Sequence, residues 1–261
     1  MNDPSAYSKS CQEQPVCVRG LGAVRKWPTK SGSSSFRTKR GRDETIEVFK
    51  RLNATKYSLL DIEVNNAIYA GALKKYADRI ATLPFFEAHS VFNSQDLKRM
   101  GDLRYALTVV ITLILGYFNR DDAFGDLLER YNDDFPLESE IDDRILEVLA
   151  FIEECGFGHN SRVWRKADLL TLIAELDQAL SIKCLELQPS VTVANLEGFY
   201  DRIDANAVDL SGTAAVYYKA ALQASNDRLN RVRRGVVIAG VLRGAPETEI
   251  MGDIQSSGLL Q

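Results

Sequence analysis

Arg51 and Asn53 close one amphipathic segment, and Glu63 and Asn66 stand one helical turn apart in the next. Such a set suits the grip of a phosphate: a guanidinium offers a bidentate fork, and carboxamides add neutral hydrogen bonds. The same residues also suit plain architecture, with Asn53 a helix C-cap, Glu63 a solvated charge and Asn66 a buried amide tying down the intervening loop. A second group recurs at steps of three in the last long helical pattern: Arg228, Arg231 and Arg234, with Arg233 beside them and Leu229, Val232, Val236 and Val237 on an apolar side. This stripe reads either as a contact for nucleic acid or an anionic nucleotide, or as a solvated face paired with acidic residues.

Other chemistries find little support, and no residue is assigned a catalytic role. The two histidines, His89 and His159, read as solvated loop residues. Cys11, Cys17, Cys155 and Cys184 form no CxxC pair, so neither a zinc site nor a disulfide framework is indicated, and no metal ligands are named. GxSxG, GxxxxGK[ST] and a GxGxxG in strand-to-helix context are all absent. Acid pairs such as Asp121-Asp122 and Asp142-Asp143 fall at helix starts or on polar faces, where solvated charge is the simpler reading than a metal-dependent nuclease.

The elements that must position these residues read as helices. With 45% apolar residues the chain can build a real core, and its most apolar run, 106–118, contains Thr108, Thr112 and Gly116 and is too short to span a bilayer. No membrane association and no secretion signal are read, so the cytoplasm is the expected location. Residues 1–42 carry nine Lys or Arg against Asp3 and Glu13, so that arm is net +7 and the remainder −11 within a total of −4. Its Ser31–Ser35 tract and lack of apolar periodicity predict a disordered basic arm.

A helical domain is expected over 43–244, followed by a flexible tail over 245–261. Helical spacing predicts segments over 43–52, 59–83, 95–118, 123–132, 138–155, 166–180, 192–206, 214–224 and 226–243. Pro84 stops the second, Asn93 or Ser94 caps the third, and Gly156 ends the fifth. No strand pattern and no repeat is found, so the fold class is all-α: an irregular bundle of about seven to nine helices.

Phe49-Lys50-Arg51-Leu52-Asn53, with Leu59-Leu60-Asp61-Ile62-Glu63-Val64-Asn65-Asn66-Ala67, resembles the signature Phe-x-Arg-Ile/Leu-Asn … Leu-x-x-x-Glu-Ile/Val-Arg-Asn-Ala of the GmrSD-type restriction endonuclease N-terminal-domain family. The likeness runs from about Asp43 to Arg243, with the element 165–170 and the arginine-rich last helix matching less specifically. Family members join a ParB-like nuclease or nucleotide-hydrolysing core to an all-helical region, and many act in bacterial phage defence by cutting modified DNA.

Two departures bear on what the resemblance implies. The family's Arg before Asn-Ala is Asn65 here, and the catalytic Asp-Gly-Gln-Gln-Arg motif is absent, as is an HNH motif. The resemblance therefore implies a helical module that does no chemistry by itself, and fits a truncated or rearranged gene. Its implied partners are DNA and a separately encoded nuclease core, with nucleotide triphosphate and magnesium as that core's cofactors and none on this chain. Arg51, Asn53, Glu63 and Asn66 would face nucleotide or DNA. The alternative is a protein-interaction or homo-oligomerising domain with no nucleic-acid role.

Overall fold

The computed structural model describes residues 61–205 and 210–259, together with Glu44 and Val48. Arg51, Asn53 and the expected arm over 1–42 lie outside the described residues. Of the helix expected over 43–52, Glu44 and Val48 are described, both helical and exposed.

The described residues are helical throughout, with no strand among them: α1 (Asp61–Ile68), α2 (Ala72–Ala81), α3 (Pro84–Ala88), α4 (Ser94–Lys98), α5 (Gly101–Leu115), α6 (Phe124–Arg130), α7 (Glu138–Cys155), α8 (Lys166–Asp177), α9 (Pro189–Ala205), α10 (Gly212–Leu222), α11 (Arg228–Leu242) and α12 (Glu247–Ser256). A 3₁₀ turn (Arg162–Trp164) leads into α8, and a π turn (Gln178–Ile182) continues it. The fold is an all-α bundle, built from more and shorter helices than the sequence suggests. None of those described is long and apolar enough to cross a membrane.

Two helices are buried on every side over most of their length. In α5 every residue from Tyr105 to Leu113 is buried, as the apolar run predicts, and in α8 Asp168–Ala174 are buried together. They pack on one another, α11 covers α8, α2 covers α5, and α7 and α9 close the sides. Removing such stripes from water is the main stabilising term, about 25 cal/mol per Å² of apolar surface.

Two expected helices are broken. The segment 59–83 becomes α1 and α2, interrupted before Gly71, whose backbone lies against Asn132 so closely that a Cβ would overlap the Asn132 carbonyl. In return the first amides of α2 find acceptors: Ala72 N–H donates to Asn132 O at 2.8 Å and Leu73 N–H to Tyr131 O at 3.1 Å. These are donors that a helix start otherwise leaves unpaired. Gly71→Ala is expected to cost about 2 kcal/mol or more, since overpacking against backbone has no rotamer to relieve it; a shift of the urea midpoint at constant slope would measure it.

The segment 95–118 likewise becomes α4 and α5, with Met100 left-handed at φ 54° between them. Nothing in a methionine signals that break. The expected cap is present upstream: the Asn93 side chain accepts from the Gln95 and Asp96 amides, and Asp96 answers to the Asn93 amide, a capping box. Gly156 ends α7 in the left-handed region, as expected.

The tail expected over 245–261 is corrected. Residues Glu247–Ser256 form α12, which buries Ile250 and Ile254. Gly240 of α11 makes the notch: a Cβ there would meet Ile250 Cγ1 at 2.5 Å. Arg233 Nε donates to Leu259 O at 2.8 Å and pins the segment beyond α12.

Candidate functional site

Glu63 and Asn66 are both half-buried on α1. Glu63 is not a solvated charge: Arg99 grips it as a fork, Nε to Oε1 at 2.8 Å and the second nitrogen donating to Oε2 at 3.2 Å. Arg99 sits at the corner between α4 and α5, so the pair ties α1 to that corner. With the Glu63 side chain 16% and Arg99 46% exposed, the coupling is modest. A double-mutant cycle of Glu63→Gln and Arg99→Gln is expected to give about 0.5–1 kcal/mol, falling with salt.

The corner opens into a cleft of about 350 Å³ lined by Asn93, Gln95, Asp96, Arg99, Gly101 and Arg104. Its charges are tethered. Lys166 of α8 contacts Asp96 Oδ1 at 2.5 Å, and Arg104 Nε donates to Asp121 Oδ2 at 2.7 Å. Burial pushes the Asp96 carboxyl upward, but the Lys166 ammonium and the Asn93 amide outweigh it and hold the group below its ordinary value. Three ion pairs, each reaching to a different element, therefore fix the walls.

Asp121 belongs to the loop 116–123, and α11 holds that loop. Here the expected basic stripe is corrected: Arg231 and Arg234 are 1% and 0% exposed and face inward. Arg231 donates to Phe118 O at 3.0 Å and lies 4.7 Å over the Phe118 ring. Arg234 donates to Thr171 Oγ1 at 3.1 Å, Ala220 O at 2.7 Å and Ser225 O at 3.0 Å. Burial and then the Arg234 cation bring the Arg231 guanidinium down to about 10, which still leaves it charged at neutral pH.

Exposed Arg228 is also engaged with the loop, its Nε donating to Tyr117 O at 3.0 Å, and Arg120 returns the tie by pairing with Asp227 at 2.8 Å. Steps of three did put these arginines on one face, but acceptors inside the protein draw Arg231 and Arg234 inward, while Arg228 stays exposed. Arg231 and Arg234 therefore belong to the interior rather than to a solvent-facing basic stripe.

The buried arginines lead into a polar seam that spacing in the sequence does not reveal. Arg162 Nε lies 3.0 Å from Asp168 Oδ2 without aiming its hydrogen at it, and Arg162 also donates to Asp204 at 2.8 Å. Tyr217 donates to Asp168 Oδ1 at 2.7 Å. Burial pushes the Asp168 carboxyl up, against Arg162 and the Tyr217 hydroxyl. At the last residue of α8, Arg144 of α7 forks onto Asp177 at 2.7 and 2.6 Å. The available signal was two aspartates in a helix whose middle, Leu169–Ala174, is apolar apart from Thr171.

His89, read as a loop residue in solvent, instead stacks on Trp164 with ring centres 3.6 Å apart and contacts Glu153 at 3.0 Å. Among the described residues no group of three or more His, Cys, Asp or Glu could hold a metal. The structure thus brings Glu63 to a charged cleft, joins that cleft through Arg104 and Asp121 to the loop under Arg228 and Arg231, and puts Arg234 in the core. No family model matches the chain, and neither does any curated protein or solved structure.

Proposed function

We propose that the chain is a helical module of a GmrSD-like protein of DNA restriction or phage defence, silent by itself and working in the cytoplasm against a nuclease core. The observation that carries this reading is the signature over 49–67, with its Arg, Asn, Glu and Asn at the family's positions. The bidentate hold of Arg99 on Glu63 supports it, because through that hold the signature carboxylate fixes the helix that follows Arg51 and Asn53 against the cleft. Arg51 and Asn53 then face nucleotide or DNA, while nucleotide triphosphate and magnesium bind the core.

A gel shift with duplex DNA at two salt concentrations tests the DNA-facing role. Phosphate contacts weaken steeply as counterions are added, so retention at low salt that is lost at higher salt and weakened by Arg51→Ala supports the reading. Salt-independent retention, or none at low salt, contradicts it.

A second reading, a protein-interaction or self-associating domain, is favoured by large apolar side chains in water: Leu115, Leu146, Val191, Leu222 and Leu229 are 46–65% exposed. Light scattering that finds a monomer at all concentrations, with no apolar dye bound, counts against it.

A further inference from the structure

Asp168, 1% exposed on α8, is where side chains from α5, α9, α10, α11 and the 3₁₀ turn meet. Tyr217 of α10 donates to its Oδ1 at 2.7 Å, and Arg162 lies along its Oδ2 at 3.0 Å. Arg162 also reaches Asp204 of α9, one turn from Tyr200. Arg234 of α11 bonds Thr171 and Ala220, which stand one turn from Asp168 on α8 and one turn from Tyr217 on α10. Its guanidinium therefore lies beside the Tyr217–Asp168 bond. Tyr105 arrives from α5: burial, and then the Asp168 charge, push its hydroxyl well above the ordinary value. The same two causes act on Tyr200, whose ring centre is 6.2 Å from that of Tyr217.

Around this carboxylate, Tyr105 Oη, Tyr200 Oη, Arg162 Nε and Arg234 Nη2 have no hydrogen-bond partner among the described residues. Each belongs to a residue no more than 7% exposed. Polar atoms buried to that degree are bonded as a rule, to protein or to a resident ligand. We infer that they line an internal water-binding site beside Asp168, where one or more resident waters accept from the two guanidiniums and donate to the tyrosine oxygens. The inference goes beyond the module reading and stands without it.

Water suits this wall because its oxygen accepts from N–H groups while its hydrogens go to hydroxyl oxygens. Leaving a buried donor or acceptor unmade costs more than immobilising a water, and here several such groups share one place. Apolar cavities stay dry, whereas polar partners on several sides hold water in the interior. The charges favour a neutral ligand over an anion. Arg162 already has Asp168 and Asp204 as acid neighbours, and Arg234 acts on Asp168 through space. What the site calls for is hydrogen bonds, and satisfying them makes the seam a fixed junction of the helices that meet there.

A crystal structure of the full chain at a resolution that orders solvent reads the site directly. A buried water within about 3.2 Å of the Tyr105 or Tyr200 hydroxyl and of a guanidinium nitrogen is expected. No water there, or an anion in its place, overturns the assignment. Hydroxyl deletion gives an independent reading in solution. If water bridges Tyr105, Tyr105→Phe removes hydrogen bonds, and the equilibrium constant for unfolding is expected to rise about fivefold. A hydroxyl bonded to nothing gives the opposite sign: its removal leaves that constant unchanged or lowers it, which overturns the site. Should Tyr105→Phe fail to fold, Tyr200→Phe decides by the same rise or its absence.

Discussion

Asp168→Ala is expected to lower the unfolding free energy by about 3–5 kcal/mol, a large part of the stability of an ordinary domain. The substitution leaves the Arg162 guanidinium, 5% exposed, with only Asp204 as its acid partner, and removes the acceptor of the buried Tyr217 hydroxyl. A charge and a hydroxyl stranded in the interior account for more of this loss than the vanished contacts do. Chemical denaturation with an unchanged slope and a midpoint displaced by that amount is the check. A loss below about 1 kcal/mol would mean that Asp168 is not the anchor of the seam.

The second large effect is a pH profile. Glu175 has a folded-state value raised from 4.5 to about 7, so the folded protein binds more protons than the unfolded chain between those limits. Its contribution to stability is fully present below about pH 4.5 and is lost as pH rises through about 7. Burial moves Asp168 the same way, so the wild-type slope is a sum and the difference from Glu175→Gln isolates the Glu175 carboxyl. That difference is expected to reach roughly 3 kcal/mol across the window, at 1.36 kcal/mol for each pH unit of displacement. Parallel stability curves for wild type and Glu175→Gln would contradict it.

Local signals carried much of the architecture. The run that makes α5 central, the capping box at Asn93 and the left-handed Gly156 were legible because each depends on residues within a few positions of one another. The break before Gly71 was not, because the groups that make a glycine necessary there are backbone atoms of Asn132. Met100 offers no sequence reason to turn left-handed. The helix over 247–256 was read as tail because its two buried isoleucines need Gly240, on another helix, to receive them.

The arginines show the limit most plainly. Spacing placed Arg228, Arg231 and Arg234 together, yet a solvated stripe and an inward clamp share that spacing. The acceptors that decide between them, Phe118 O, Ala220 O and Ser225 O, are carbonyls that every sequence carries. Glu63 behaved the other way. Its type and place in a helix marked it as unusual, and only the fold revealed that Arg99 is its partner. Arg51 and Asn53 keep the roles that the family resemblance gives them, as proposals.

A helical module of this kind, as proposed above, does no chemistry by itself. The most direct test is to incubate the purified chain with nucleotide triphosphates, magnesium and duplex DNA, and to follow released phosphate and cut DNA together. Neither product is expected above the protein-free background. Sustained phosphate release or cleavage that disappears in Arg51→Ala would contradict the proposal.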